Sequence, residues 1–466
     1  MNGYLTTRIK EIDLKTALEL FMLLSLLVVW VVWPLRGTIA ARNIALISGS
    51  LASIAWLSIE RPKFAMSDLL PIGFLLFIPA WLFGLYIFNP VVPNLQWDDL
   101  RGTWLRVIFG TVFAVGLGGL FHARPLYGRY FIGILVIWPI VLFIAFLNEV
   151  LFAHTGVEYF IAIFKSKIAC VYFLMWSILF FFSFIHYAQL IDGNNNKYKT
   201  WHIIGAYSML VICLIDLFAL QSLNGFLVIF FVVMLFIFFF IKYHQRKVGI
   251  RRMAYKLIIL GFLIAAFLMT VWHFDTQYSR GKLHNFYDDV HFILNEDDSG
   301  AWKWDGSNNR LYPLNPLTNQ VVNGSTYERV AWFRQGLKFL ESYPLGLGYT
   351  SRAFMHRMAE QFPGSNATKT HSGWLDFALG AGVLCLLCIW VAIGLIVVRA
   401  WRQISRGRPI RLITLFAFWA LLAMLWLWQI GELSEREFIE HFFFLITFFS
   451  IAVSQKVSAV SITSSN

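Results

Sequence analysis

Residues 202–241 read HIIGAYSMLVICLIDLFALQSLNGFLVIFFVVMLFIFFFI, and they decide what kind of chain this is. Two apolar runs, each close to the roughly 20 residues a bilayer-spanning helix needs, are joined only by Gln221 to Gly225. In lipid every backbone polar group must be satisfied within its own segment, so the pair is expected to be a tight helical hairpin. Outward from it, runs of the same kind lie near 16–33, 39–58, 68–88, 104–121, 130–152 and 168–190, and again near 257–273, 373–398, 412–430 and 438–455. The expected fold is therefore an all-α polytopic integral membrane protein with about twelve transmembrane helices. Composition agrees: 58% of the 466 residues are hydrophobic, 14% are charged and the mean hydropathy is +0.65. Soluble domains carry about a quarter charged residues.

The net charge of +12 has two readings, a nucleic-acid surface or a topogenic signal, and placement separates them. With the N-terminus in the cytoplasm, the cytoplasmic side holds 21 Lys and Arg, and the opposite short loops and flanks hold 7, among them Arg42, Arg106 and Arg436. That bias fixes the expected orientation, with both termini inside, and removes nucleic acid as a partner. The first apolar run lacks a short core followed by a small-residue cleavage site, so it reads as a retained span. Cys170, Cys213, Cys385 and Cys388 all fall in apolar runs and read as small packing residues, not disulfide partners.

The same count divides the chain into helices over 1–273, an outer loop over 274–370, further helices over 371–455 and a cytoplasmic tail over 456–466. About a hundred residues is far longer than a connection requires, and such loops usually carry function. Short helices folded against the membrane are expected in it. Residues 327–341 suit one, with Val330, Phe333, Leu337 and Leu340 as its apolar stripe, Ser325 or Thr326 as its cap and Ser-Tyr-Pro as its stop. The acids Asp288, Asp289, Glu296, Asp297 and Asp298 read as a solvated surface.

Three features of the loop can carry chemistry: Ser325–Trp332 followed by Tyr343–Tyr349, the stretch Thr370–Asp376 that opens the tenth span, and Arg310 in Asn309–Pro316. A histidine where an apolar helix meets water, here His371, can stay neutral and accept a proton from a sugar hydroxyl. Arg329 and Arg310 offer fork-shaped donors for phosphate oxygens. Together they suit glycosyl transfer from a lipid-linked phosphate without a metal or other cofactor. Taken alone, a histidine at a helix start is more often a cap than a base, and flanking arginines often just meet lipid headgroups. His284, His291 and His356 share the loop without comparable neighbours.

His371-Ser372, nine residues, then Gly382 resembles the His motif of the O-antigen ligase and polymerase superfamily, and Arg329 to Gly348 is similar to the arginine and Pro-Leu-Gly-x-Gly segment that precedes it there. The resemblance implies a GT-C-like glycosyltransferase architecture in a bacterial inner membrane, with a periplasmic catalytic loop. It implies an undecaprenyl-pyrophosphate-linked glycan as donor, lipid A–core oligosaccharide as acceptor, His371 as base, and Arg329 and Arg310 on the pyrophosphate, with inversion. Two departures stand out. Cys385 occupies the place of a second glycine, and Asn224 stands where the family has an arginine before glycine, a role Arg280 could take over. A polymerase or a protein-glycosylating enzyme of the same superfamily is the nearest alternative. A transporter or flippase, with Asp216 as its mid-span carboxylate, is the alternative of another class.

Overall fold

The computed structural model describes residues 13–153, 164, 166–190, 197–220, 286–295, 300–303, 312–405, 411–430 and 435–454, with single positions 230, 234, 261, 265, 269 and 272. The first half runs α1 (Leu14–Val32), α2 (Ile39–Glu60), α3 (Met66–Phe88), α4 (Pro93–Asp99), a π-turn over Leu100–Trp104 and α5 (Leu105–Ala123). It continues through α6 (Gly128–Asn148), α7 (Lys167–Leu190) and α8 (Lys197–Ala219). The loop contributes α9 (Phe286–Asn295), a short ladder of β1 (Leu314–Asn315) and β2 (Gln320–Val321), α10 (Gly324–Ser342) and α11 (Ala353–Gln361). The chain then forms α12 (Gly373–Ala381), α13 (Val383–Ser405), α14 (Leu412–Ile430) and α15 (Arg436–Ala452).

Nine helices among the described residues are long and apolar enough to cross a membrane. The chain is a multi-pass membrane protein. Its packing explains which sides face lipid. Every residue of α15 from Phe438 to Ala452 is buried, so this helix is the axis of the bundle. Small residues let its neighbours close in, as is usual between membrane helices. A Cβ on Gly118 of α5 would lie 2.7 Å from Ile451, and the Ser50 hydroxyl of α2 donates to the Phe109 carbonyl of α5 at 2.6 Å. The exposed stripe is aliphatic instead, with Ile44, Leu51 and Ile54 of α2 more than half exposed. The expected spans near 226–241 and 257–273 fall almost wholly outside the described residues, as does the tail from 456.

Four expectations are corrected. The span expected over 373–398 is two helices, broken at Gly382 (φ 93°), and the first is buried along all nine residues. The loop is not purely helical, because β1 and β2 pair antiparallel with Leu314 opposite Val321. Asp289 is not solvated: it is 3% exposed, and its carboxylate accepts from the Asn315 side chain (3.1 Å) and the Asn323 amide (3.2 Å), tying the ladder to α9. Finally, α10 is capped by Asn323, which accepts from the Thr326 amide, and it buries a different face from the one expected. Tyr327, Ala331, Trp332, Gln335, Gly336 and Phe339 point inward, while Phe333 and Leu337 are each 42% exposed. The reason is close approach. A Cβ on Gly336 would sit 2.6 Å from the Thr370 methyl, so the small residues choose the contact face and hydrophobicity does not.

Candidate functional site

The two glycine-containing motifs that lie apart in sequence are laced together. The amide of Leu347 donates to the Leu379 carbonyl (3.1 Å), Gly348 to Gly380 (2.9 Å), and Val383 back to Pro344 (3.0 Å). These bonds satisfy carbonyls that the end of α12 would otherwise leave without partners in a buried setting. The approach is so close that side chains are excluded. A Cβ on Gly346 (φ 88°) would lie 2.4 Å from the Gly382 nitrogen, and one on Gly382 would lie 2.4 Å from the Leu345 oxygen. The rest of the bundle holds this turn from the other side. Gln96 donates to the Leu347 carbonyl (3.2 Å) and Trp81 to Leu345 (3.2 Å). Asp99, at the π-turn, accepts from the amide (2.7 Å) and hydroxyl (2.8 Å) of Thr350, and from Thr103 and Trp104. Tyr349 is fully buried beside this turn, and burial pushes its phenol well above the usual tyrosine range, so it stays neutral.

His371 is at the other end of α12. It holds a left-handed backbone (φ 61°), which for a residue with a Cβ costs about 1–2 kcal/mol. The neighbours enforce it. The Thr370 amide donates to Asp376 (2.9 Å), the Thr370 hydroxyl donates to the Ser372 carbonyl (3.1 Å), and Ser372 caps α12 by accepting from Leu375 (3.4 Å). The imidazole lies flat against the Trp332 indole, with centroids 5.3 Å apart and planes within 6°. Arg329 is exposed one turn before Trp332 on α10, about 4.5 Å along the axis, on the face that also carries Gly336. Of the expected site residues, the structure thus joins His371 to the helix that carries Arg329. Arg310, Arg280 and Asn224 lie outside the described residues.

Two other described histidines are occupied differently. His356 meets the Tyr349 ring edge-on, and His441 is wholly buried, with Nδ1 2.7 Å from the Tyr172 hydroxyl. Asp216 is buried in α8, and neither carboxylate oxygen has a hydrogen-bond partner among the described residues.

A set of ion pairs escaped the sequence reading, which assigned Arg42 and Arg106 to topology. Glu440 is 1% exposed and lies between Arg106 (2.6 Å) and Arg42 (3.2 Å), itself 2% exposed. Lys369, two residues before His371, pairs with Glu435 at 2.6 Å, and Arg436 sits 4.0 Å from Asp99. These contacts clamp the start of α15 to α2, α5 and the His371 segment. The available signal was the pair Glu440-His441 in a run of phenylalanines, since charge in an apolar span normally has a partner. Removing that partner should be costly. Glu440→Ala is expected to destabilise the protein by roughly 3 kcal/mol, because it leaves the buried Arg42 with only Glu437, 3.8 Å away, as a counter-charge, read as a lowered thermal midpoint in detergent. A midpoint within a degree of the parent would mean water already reaches the pair.

Fold and site together define a multi-pass helical membrane protein in which a loop subdomain clamps a broken helix headed by a strained histidine. Residues 208–390 match the protein-family model described as O-antigen ligase. The matched stretch takes in Arg329, the Pro344–Gly348 turn, His371 and Gly382. No curated protein matches the chain.

Proposed function

We propose that the protein transfers a glycan from undecaprenyl pyrophosphate to a sugar hydroxyl of lipid A–core oligosaccharide, at the periplasmic face of the bacterial inner membrane. The observation that carries this is His371, strained, clamped through Thr370, Ser372 and Asp376, and stacked on Trp332 one turn from Arg329. The acceptor oxygen attacks the anomeric carbon as its proton passes to the imidazole, and the bond from that carbon to the pyrophosphate oxygen breaks. One displacement inverts the configuration. Arg329 stabilises charge building on the pyrophosphate, with Arg310 and either Arg280 or Asn224 as further ligands. The prenyl tail stays in the lipid beside the exposed aliphatic faces, and no metal takes part.

Reconstitution tests this. Purified protein in lipid is given undecaprenyl-linked glycan and lipid A–core, and products are separated on a gel. Glycan on the core supports ligation. Lengthened undecaprenyl-linked glycan supports polymerisation by the same chemistry, and transfer to a polypeptide hydroxyl supports the protein-glycosylating alternative. In that assay Arg329→Ala is expected to lower the rate about 10²- to 10³-fold, with Arg329→Lys recovering only part, because an ammonium lacks the bidentate fork. An unchanged rate would remove Arg329 from the site. Asp216 favours a second reading, movement of the lipid-linked glycan across the membrane. Flipping of a labelled donor in vesicles without any product would support it.

A further inference from the structure

Between α10, α11 and the Trp302–Lys303 turn, the loop subdomain forms a groove of about 610 Å³, within the range of sites for small organic molecules. Its chemistry is uneven. Lys303, Lys338 and Arg357 face it against one carboxylate, Glu360, which Arg357 already engages. Flat rings alternate with these cations: the Lys303 ammonium lies 5.3 Å from the Phe362 ring centroid and 5.9 Å from that of Trp302, and the Arg357 guanidinium lies 4.4 Å from the Tyr343 ring. Gln335 and Gln361, bonded to each other at 3.0 Å, add amide edges.

We infer that this groove binds an anionic oligosaccharide, a part of the glycan remote from the reacting sugar. Aromatic faces suit the C–H faces of sugar rings, amides suit hydroxyls, and the surplus of cations selects phosphate or carboxylate substituents. A lipid tail would not choose a lining with this much charge. The groove also connects to the histidine. Trp332 stacks on His371 with its ring, and its indole N–H donates to the Trp302 carbonyl at 2.7 Å, so one side chain joins the groove wall to the reaction centre. Occupancy of the groove therefore aligns the reacting sugar near His371, in the way that remote binding energy serves catalysis. This inference rests on the proposed glycosyl transfer for its biological meaning, but binding can be measured without turnover.

The test is titration calorimetry on the full-length protein in nanodiscs. The probes are core oligosaccharide with its phosphates, the same oligosaccharide dephosphorylated, and a uronic-acid-containing oligosaccharide. The variants are Lys303→Gln/Lys338→Gln, Trp302→Ala and His371→Ala. The double variant is expected to weaken a charged probe about tenfold at an unchanged thermal midpoint, and Trp302→Ala to weaken all bound probes. His371→Ala should bind as the parent does. A preference for the phosphorylated core assigns the groove to the acceptor, and a preference for the uronic-acid probe assigns it to the donor glycan. Affinities within twofold of the parent for every probe in both groove variants would overturn the inference, whether or not the protein transfers glycan. Groove-dependent binding by a protein with no transferase activity would leave the groove standing and sink the proposed function.

Discussion

Replacing His371 with alanine is expected to remove glycan transfer by about 10²- to 10⁴-fold while leaving the protein folded and abundant. The separation of the two effects follows from the local structure. The backbone around His371 is held by Thr370, Ser372 and Asp376, none of which needs the imidazole to make its bonds. Among the contacts the ring loses is its stack on Trp332, of about 0.5–1.5 kcal/mol. His371→Gly sharpens the test. Glycine adopts φ 61° without strain, so the variant recovers about 1–2 kcal/mol of backbone energy that roughly offsets the lost stacking. An inactive protein with a thermal midpoint equal to or above that of the parent is therefore expected. That pattern belongs to a residue kept strained for its chemistry, and a cap or packing residue would not produce it. Either variant retaining a tenth or more of the parent rate at matched abundance would rule out His371 as the base.

The spans were legible in the sequence because a run of 20 apolar residues has few fates, and apart from the run over 373–398 the described spanning helices start and stop within a few residues of the expected ends. The order of Arg329, Pro344–Gly348 and His371 was legible as a resemblance. Their meeting was not. Hydropathy sums treat Gly382 as one weak helix former within an apolar run, whereas its left-handed conformation and the Leu345 carbonyl against it break the helix. The inward face of α10 was misjudged for a similar reason, since Gly336 and Ala331 set the distance of approach while Phe333 and Leu337 are left outside. Asp289 looks like a surface acid, and Glu440 gives no sign of its partners, until Asn315 and Asn323, or Arg42 and Arg106, arrive from other parts of the chain. Periodicity carries the local preference of a segment. It carries nothing about which partner a buried charge will find 300 residues away.

The lacing itself supplies the second large effect. Gly382→Ala is expected to destabilise the protein by on the order of 3 kcal/mol and to lower transfer as well, because one substitution strikes two constraints. At φ 93° and ψ 160° the backbone is in a region that side chains essentially never occupy, and the new Cβ would press on the Leu345 oxygen at 2.4 Å. The turn must then withdraw, and with it the amides of Leu347 and Gly348 that satisfy Leu379 and Gly380. Gly346→Ala should reproduce the loss from the opposite side of the same contact, since its Cβ would meet the Gly382 nitrogen. Gly394→Ala is the control: it lies in α13 with nothing within 4 Å of the added carbon, so the better helix former should be neutral or stabilising by up to about 1 kcal/mol. Thermal midpoints in detergent, with limited proteolysis across residues 343–350, measure all three. If Gly382→Ala keeps the parent midpoint and protection, the turn does not hold the end of α12. The position of His371 would then depend on Thr370, Ser372 and Asp376 alone, and transfer should survive the glycine substitutions untouched.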